Sequence, residues 1–246
     1  MNNNNQQPFY LFLHIPKTAG TTLRHLVDQA YGPENVITYY NQNSTQLLEN
    51  LDAHLKVHPK FKAFIGHFTF GLHDKIDRPA KYITFLRHPV ARTISQYKET
   101  LVNHRQHLQA SDGSILSLLD SLERNPEFYE DYQTKHIVGN DPKYLNDASI
   151  SDIALEILEK YFCGLGLVEY FESSIALIAQ NLGWRSTEYQ KHNVKELDVE
   201  MTPELIEKIN SLNKNDLVIY EAVEKKLIAE FDRLPAGLRS GASQKS

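Results

Sequence analysis

The densest anion-binding chemistry in the sequence is the segment His14-Ile15-Pro16-Lys17-Thr18-Ala19-Gly20-Thr21-Thr22. It follows an apolar run and precedes a helical pattern, so it reads as a strand-to-helix loop. A loop there can aim successive backbone N–H groups and the helix N-terminus at an anion, with Gly20 allowing close approach. Lys17 adds a full positive charge, and Thr18, Thr21 and Thr22 add hydroxyls. Capping the helix needs one such side chain, so a lysine ringed by three threonines exceeds what a helix start requires. On chemical grounds the segment is a cradle for phosphate or sulfate.

A nucleotide kinase would also need such a cradle, with the pattern G-x-x-x-x-G-K-[ST] and a strand-end carboxylate to hold Mg²⁺. Here Pro16 precedes the lysine, Gly20 follows it, and the clearest neighbouring strand, Tyr82 to Leu86, ends in Arg87. An arginine at a strand end can grip a phosphate through two parallel hydrogen bonds. The expected site therefore holds anions by protein cations, and no metal is predicted. The pairs His54/His58 and His104/His107 have helical spacing but lack a recognisable third ligand, and no H-E-x-x-H pattern occurs. They read as solvated or substrate-facing surface.

The segment His14 to Thr22 resembles the 5′-phosphosulfate-binding loop of the carbohydrate sulfotransferases related to heparan sulfate 2-O-sulfotransferase, in which H-x-P-K-[TS]-x-[GS]-[TS]-[TS] is common. The segment Phe85-Leu86-Arg87-His88-Pro89-Val90-Ala91-Arg92-Thr93-Ile94-Ser95-Gln96-Tyr97 resembles that family's 3′-phosphate-binding strand and helix. The resemblance implies a P-loop-like fold and 3′-phosphoadenosine-5′-phosphosulfate as donor. It implies that Pro16, Lys17, Thr18, Ala19, Gly20, Thr21 and Thr22 surround the 5′-phosphosulfate, with Lys17 at the transferring group, and that Arg87 and Ser95 bind the 3′-phosphate. Phe64-Ile65-Gly66-His67-Phe68 is similar to the family's Gly-His segment, which implies that His67 is the catalytic base. An imidazole with an ordinary pKa near 6.5 can take a hydroxyl proton at neutral pH. The tyrosine-rich stretch Glu127 to Tyr144 is loosely similar to an acceptor-side segment, and Lys191-His192-Asn193 to a basic segment that closes over the nucleotide.

These groups need a scaffold that brings strand ends together. Phe9 to Ile15 suits a strand buried on both faces of a parallel sheet, and Leu23, Leu26, Val27 and Ala30 recur at helical spacing until Gly32-Pro33. Further strands are predicted at Val36 to Tyr40, Phe64 to Gly66, Tyr82 to Leu86 and Cys163 to Val168, with a helix over Thr45 to Leu55. An amphipathic helix carrying Val90, Ile94, Tyr97 and Leu101 follows Pro89. Helices are then expected at Ile115 to Leu122, Asp152 to Tyr161, Phe171 to Leu182, Glu204 to Leu212 and Leu217 to Phe231. The alternation predicts an α/β fold, a central parallel sheet with helices on both faces and a helical C-terminal half.

The 246 residues fit one domain over 9–234, with a disordered Asn/Gln tract at 1–8 and a flexible tail at 235–246. A net charge of −5 argues against a nucleic-acid-coating surface. The only cysteine, Cys163, excludes an internal disulfide and reads as a small buried residue. No signal-peptide pattern or membrane-spanning run is evident, which makes the cytoplasm the default location. The partner is expected to be a hydroxyl-bearing acceptor, a carbohydrate or small molecule. The rival readings are a Mg²⁺-dependent nucleotide kinase and a non-catalytic nucleotide- or glycan-binding module; Arg87 argues against the first, and the presence of both Lys17 and His67 against the second.

Overall fold

The first strand, β1 (Phe9–Leu13), sends Phe9, Leu11 and Leu13 into one core and Phe12 into another. Side chains alternate across a strand, so a strand with a core on each face must be apolar throughout. The computed structural model describes residues 8–40, 45–189 and 199–234. After β1 come α1 (Gly20–Tyr31), β2 (Val36–Tyr39), α2 (Thr45–Glu49), α3 (Leu51–Val57), β3 (Ala63–Gly66), β4 (Ala80–Leu86) and α4 (Pro89–Asn103). The remainder comprises α5 (Leu118–Arg124), α6 (Tyr132–Val138), α7 (Pro142–Leu145), α8 (Ile150–Tyr161), β5 (Phe162–Leu167), α9 (Phe171–Leu182), α10 (Pro203–Leu212) and α11 (Lys214–Phe231).

The strands form one parallel sheet in the order β2-β3-β1-β4-β5. Residues of α3, α8 and α11 cover one face, where Leu51, Ala154 and Ile219 join Leu11, Leu13 and Phe64. On the other face, Leu23, Leu26 and Val27 of α1 and Ile175 and Ile178 of α9 pack on Phe12, Ile65 and Phe85. Each fully buried side chain of this size contributes about 1.5–3 kcal/mol, enough together to hold the strand ends in register. A third core joins α4, α5 and α10 through Tyr97, Leu122 and Ile209.

The expected elements form, with local differences. The helix expected over Thr45 to Leu55 divides at Asn50. The one expected from Ile115 starts at Leu118, because Ser117 and Asp120 close a capping box there, while Gln109 and Ile115 pair in an antiparallel bridge. Cys163 is half-buried rather than buried. Among the described residues no helix is long and apolar enough to cross a membrane.

The chain leaves β1 toward β2 and leaves β4 toward β5, in opposite directions along the sheet. Adjacent parallel strands whose exits diverge leave a crevice at their carboxyl ends, the usual ligand position in open α/β sheets. Lys17 follows β1 and Arg87 follows β4, so both stand at this crevice.

Candidate active site

The loop after β1 is held in a strained, concave form. Lys17 and Ala19 both have positive φ, 73° and 63°, a region that costs a non-glycine residue about 1–2 kcal/mol. Left-handed residues interleaved with ordinary ones turn successive N–H groups inward. Thr18 is buried, and its hydroxyl donates to the Ile15 carbonyl at 2.7 Å, so it braces the loop from within. Ala19 is the N-cap of α1 and supplies no side-chain cap, and the first turn has no acidic residue. Thr21 is exposed and Thr22 half-buried. The start of α1 therefore keeps free N–H groups and its positive dipole end. Gly20 is required by contact: a Cβ there would lie 1.7 Å from Cε1 of the buried His14 ring.

Arg87 enters from β4. One of its guanidinium nitrogens donates to the Lys17 carbonyl at 3.3 Å, which brings the two motifs into one concavity. Its backbone is clamped by Gln133 of α6, whose amide accepts from the Arg87 N–H at 2.9 Å and donates to its carbonyl at 2.8 Å. Burial works against the charge of Arg87, and Glu169 supports it. Burial also draws Lys17 below its ordinary range, followed by an opposing effect of Glu99 and a smaller one from Arg87 in the same direction as burial. Ser95 is half-buried on α4, one turn after Arg92 and one turn before Glu99.

His67 stands at the end of β3. Its N–H donates to the Tyr39 carbonyl at 2.8 Å. Gly66 makes this possible, because a Cβ there would collide with that carbonyl at 1.8 Å. The His67 ring lies 4.7 Å from the His14 ring and 4.9 Å from the Tyr40 ring, centre to centre. Burial lowers the pKa of His67 and favours the neutral ring a base needs. Beside it opens a cleft of about 950 Å³, also lined by Pro16, Tyr132, His136 and Tyr144. Pro16 of the loop after β1, the candidate base and part of the tyrosine-rich stretch thus share one cavity. Of that stretch, Tyr129 lies apart, buried in the third core.

The structure adds residues that the sequence did not single out. Arg92 of α4 is fully buried; its guanidinium finds no hydrogen-bond partner among the described residues and lies 4.4 Å from the centre of the Tyr132 ring. Asp216 of α11, also buried, accepts from Gln133 N–H at 3.1 Å, Thr134 N–H at 2.7 Å and the Thr134 hydroxyl at 2.8 Å. Burial presses its carboxyl upward, against the pull of Arg92 and these donors. Arg92 lay inside the second motif but on the side of the helix opposite the apolar stripe of Val90, Ile94, Tyr97 and Leu101, so the helical pattern gave no signal of its burial. Gln133 and Asp216 carried none.

The histidine pairs lie away from a metal geometry. His54 stacks on Phe61 and touches His58, and His104 approaches Glu99 at 3.7 Å. Among the described residues no three His, Cys, Asp or Glu side chains gather where they could hold a metal ion. Lys191, His192 and Asn193 lie outside the described residues.

The sequence profile of the Sulfotransferase family matches residues 5–146, a span that includes both candidate phosphate-binding motifs, His67 and much of the cleft. No curated protein matches the sequence significantly. The crystal structure of a sulfotransferase from Alicyclobacillus acidocaldarius superposes on 94% of this chain and 98% of its own, at 16% identity and a TM-score of 0.47.

Proposed function

We propose that this chain, which belongs to the sulfotransferase family, moves a sulfuryl group from 3′-phosphoadenosine-5′-phosphosulfate to a hydroxyl group of a carbohydrate or small metabolite. The observation that carries the reading is the contact of Arg87 with the Lys17 carbonyl, which joins two separate anion-binding loops at the crevice between β1 and β4. A donor with phosphates at both ends of its ribose needs two such loops at once.

In this reading the phosphosulfate lies over the N-terminus of α1, among Pro16, Lys17, Thr18, Ala19, Gly20, Thr21 and Thr22. Thr18 contributes through the shape it gives the loop, since its hydroxyl is engaged with Ile15. Arg87 and Ser95 take the 3′-phosphate. The acceptor oxygen attacks sulfur in line; the new S–O bond forms as the bond from sulfur to the bridging phosphate oxygen breaks, which releases adenosine 3′,5′-bisphosphate. Lys17 offsets charge growing on that oxygen, where a fixed cation in a water-poor site is most effective. The acceptor proton passes to a ring nitrogen of His67.

Calorimetry tests this directly. The protein is expected to bind adenosine 3′,5′-bisphosphate far more tightly than 5′-AMP or ATP, and Arg87→Ala should remove about 2–5 kcal/mol from the bisphosphate alone, the usual cost of truncating one partner of a buried charge pair. Equal affinity for nucleotides with and without the 3′-phosphate would sink the assignment.

A further inference from the structure

The cleft beside His67 is walled by Tyr39, Phe68, Phe70, Tyr132, Tyr144 and Tyr161. At about 950 Å³ it has room for a short oligosaccharide or a glycoside with a large aglycone. The tyrosines combine ring faces, on which the C–H face of a sugar packs, with hydroxyl groups, and Thr69 and Asn140 add further polar groups to the lining.

The charges of this lining are sparse, with a small acidic excess. Among the described residues they are Asp74, Lys75 and Asp141, all exposed at the rim. Asp141 accepts from the Lys143 N–H at the start of α7, and Asp74 lies 3.5 Å from His73. Deeper in, burial holds His136 down to about 4 and also lowers His67, so neither imidazole supplies a positive charge at neutral pH. A carboxylate or sulfate seated among the tyrosines would lose its hydration and meet, among the described lining residues, no cation but Lys75 at the rim, since Arg92 lies buried against the Tyr132 ring and does not line the cleft; the two rim aspartates oppose a polyanion on approach.

We propose that the acceptor is an uncharged glycoside, seated with its sugar rings against the tyrosines of this cleft and one hydroxyl toward His67, and not a uronate-bearing or otherwise polyanionic chain. The proposal rests on the sulfotransferase reading above and narrows it to a substrate class.

The experiment offers labelled donor with two pools of oligosaccharides matched in length, one neutral and one uronate-bearing, and counts sulfated products by mass spectrometry. Bisphosphate binding is measured on the same preparation. Transfer is expected to favour the neutral pool by about tenfold or more, with a KM that hardly changes as salt is raised. Tyr144→Ala should raise that KM about tenfold and leave bisphosphate affinity unchanged. If the bisphosphate binds but the uronate pool is sulfated equally well, or neither pool is sulfated, the acceptor class is wrong and the donor assignment stands. Absence of bisphosphate binding would remove both.

Discussion

Lys17 and Arg87 stand seventy residues apart in the chain and touch in space, and their division of labour with His67 sets the expectations at residue scale. A general base contributes about 10²- to 10⁴-fold, so His67→Ala should lose turnover on that scale while keeping its fold and most donor affinity. Lys17→Ala should lose turnover and some donor affinity together, since in the proposed reading its charge acts on the bound donor before and during transfer. Single-turnover kinetics with direct donor-binding measurements separates the two. Near-normal transfer by His67→Ala would remove it as the base and turn attention to Glu99, whose charge acts on Lys17, and to His104 beside it. The pH profile has a definite sign. The base must be unprotonated, and burial lowers the pKa of His67, so the acid limb of kcat/KM should fall below 6.5, the ordinary histidine value. A limb above that value would contradict the burial argument. Because β4 is followed by Arg87 rather than a carboxylate, chelators should leave turnover intact; loss of activity with rescue by a divalent ion would bring the kinase reading forward.

At the scale of elements, the junction of α4, α6 and α11 determines where Arg87 sits. Asp216 of α11 anchors the first N–H groups of α6, and Gln133 of α6 clamps both backbone groups of Arg87. Arg92 of α4 places its charge against the Tyr132 ring and within reach of the field of Asp216. Removing one member of a buried charged set typically costs about 3–5 kcal/mol, because the other is left uncompensated. Asp216→Leu should therefore lower urea stability by about that much and weaken bisphosphate binding through the slackened Gln133 clamp. Adding Arg92→Met should recover part of the stability. A single variant within about 1 kcal/mol of the parent would show that this junction does not hold the site.

For the whole molecule, the same burial that keeps the site's imidazoles neutral makes the fold sensitive to acid. Burial takes His14 down to about 3, with smaller contributions from His67, His136 and Lys17; His136 is held at about 4, again chiefly by burial. Their folded pKa values lie below the unfolded value near 6.5, so between those limits the unfolded chain binds more protons. The stability they provide is complete above 6.5 and is lost as pH falls toward 4, with a limiting slope of about 1.4 kcal/mol per pH unit for each ring. Urea midpoints measured from pH 7 to pH 4.5 should follow this decline above the carboxylate range. His14→Phe keeps a ring against Gly20 and should flatten the slope; an unchanged slope would acquit His14.

The sequence by itself determined the elements and the two loops proposed to bind anions, because both are local properties. The apolar run of β1 needs a core on each face, and a lysine with glycine and threonines between strand and helix shapes its own backbone toward an anion. Arg87 was legible as a strand-end cation, and His67 as the residue after a strand-end glycine. The tertiary structure alone decided which side chains meet. The parallel order β2-β3-β1-β4-β5 sets Arg87 against Lys17 and His67 against His14. Tertiary packing also recruits Gln133 and Asp216 from helices far along the chain to hold an arginine they do not neighbour in sequence. A glutamine in a short helix and an aspartate near a helix start look like ordinary surface residues in one dimension. Their burial, and hence their hold on the site, comes from helix packing across the sheet's carboxyl edge, which no local pattern encodes.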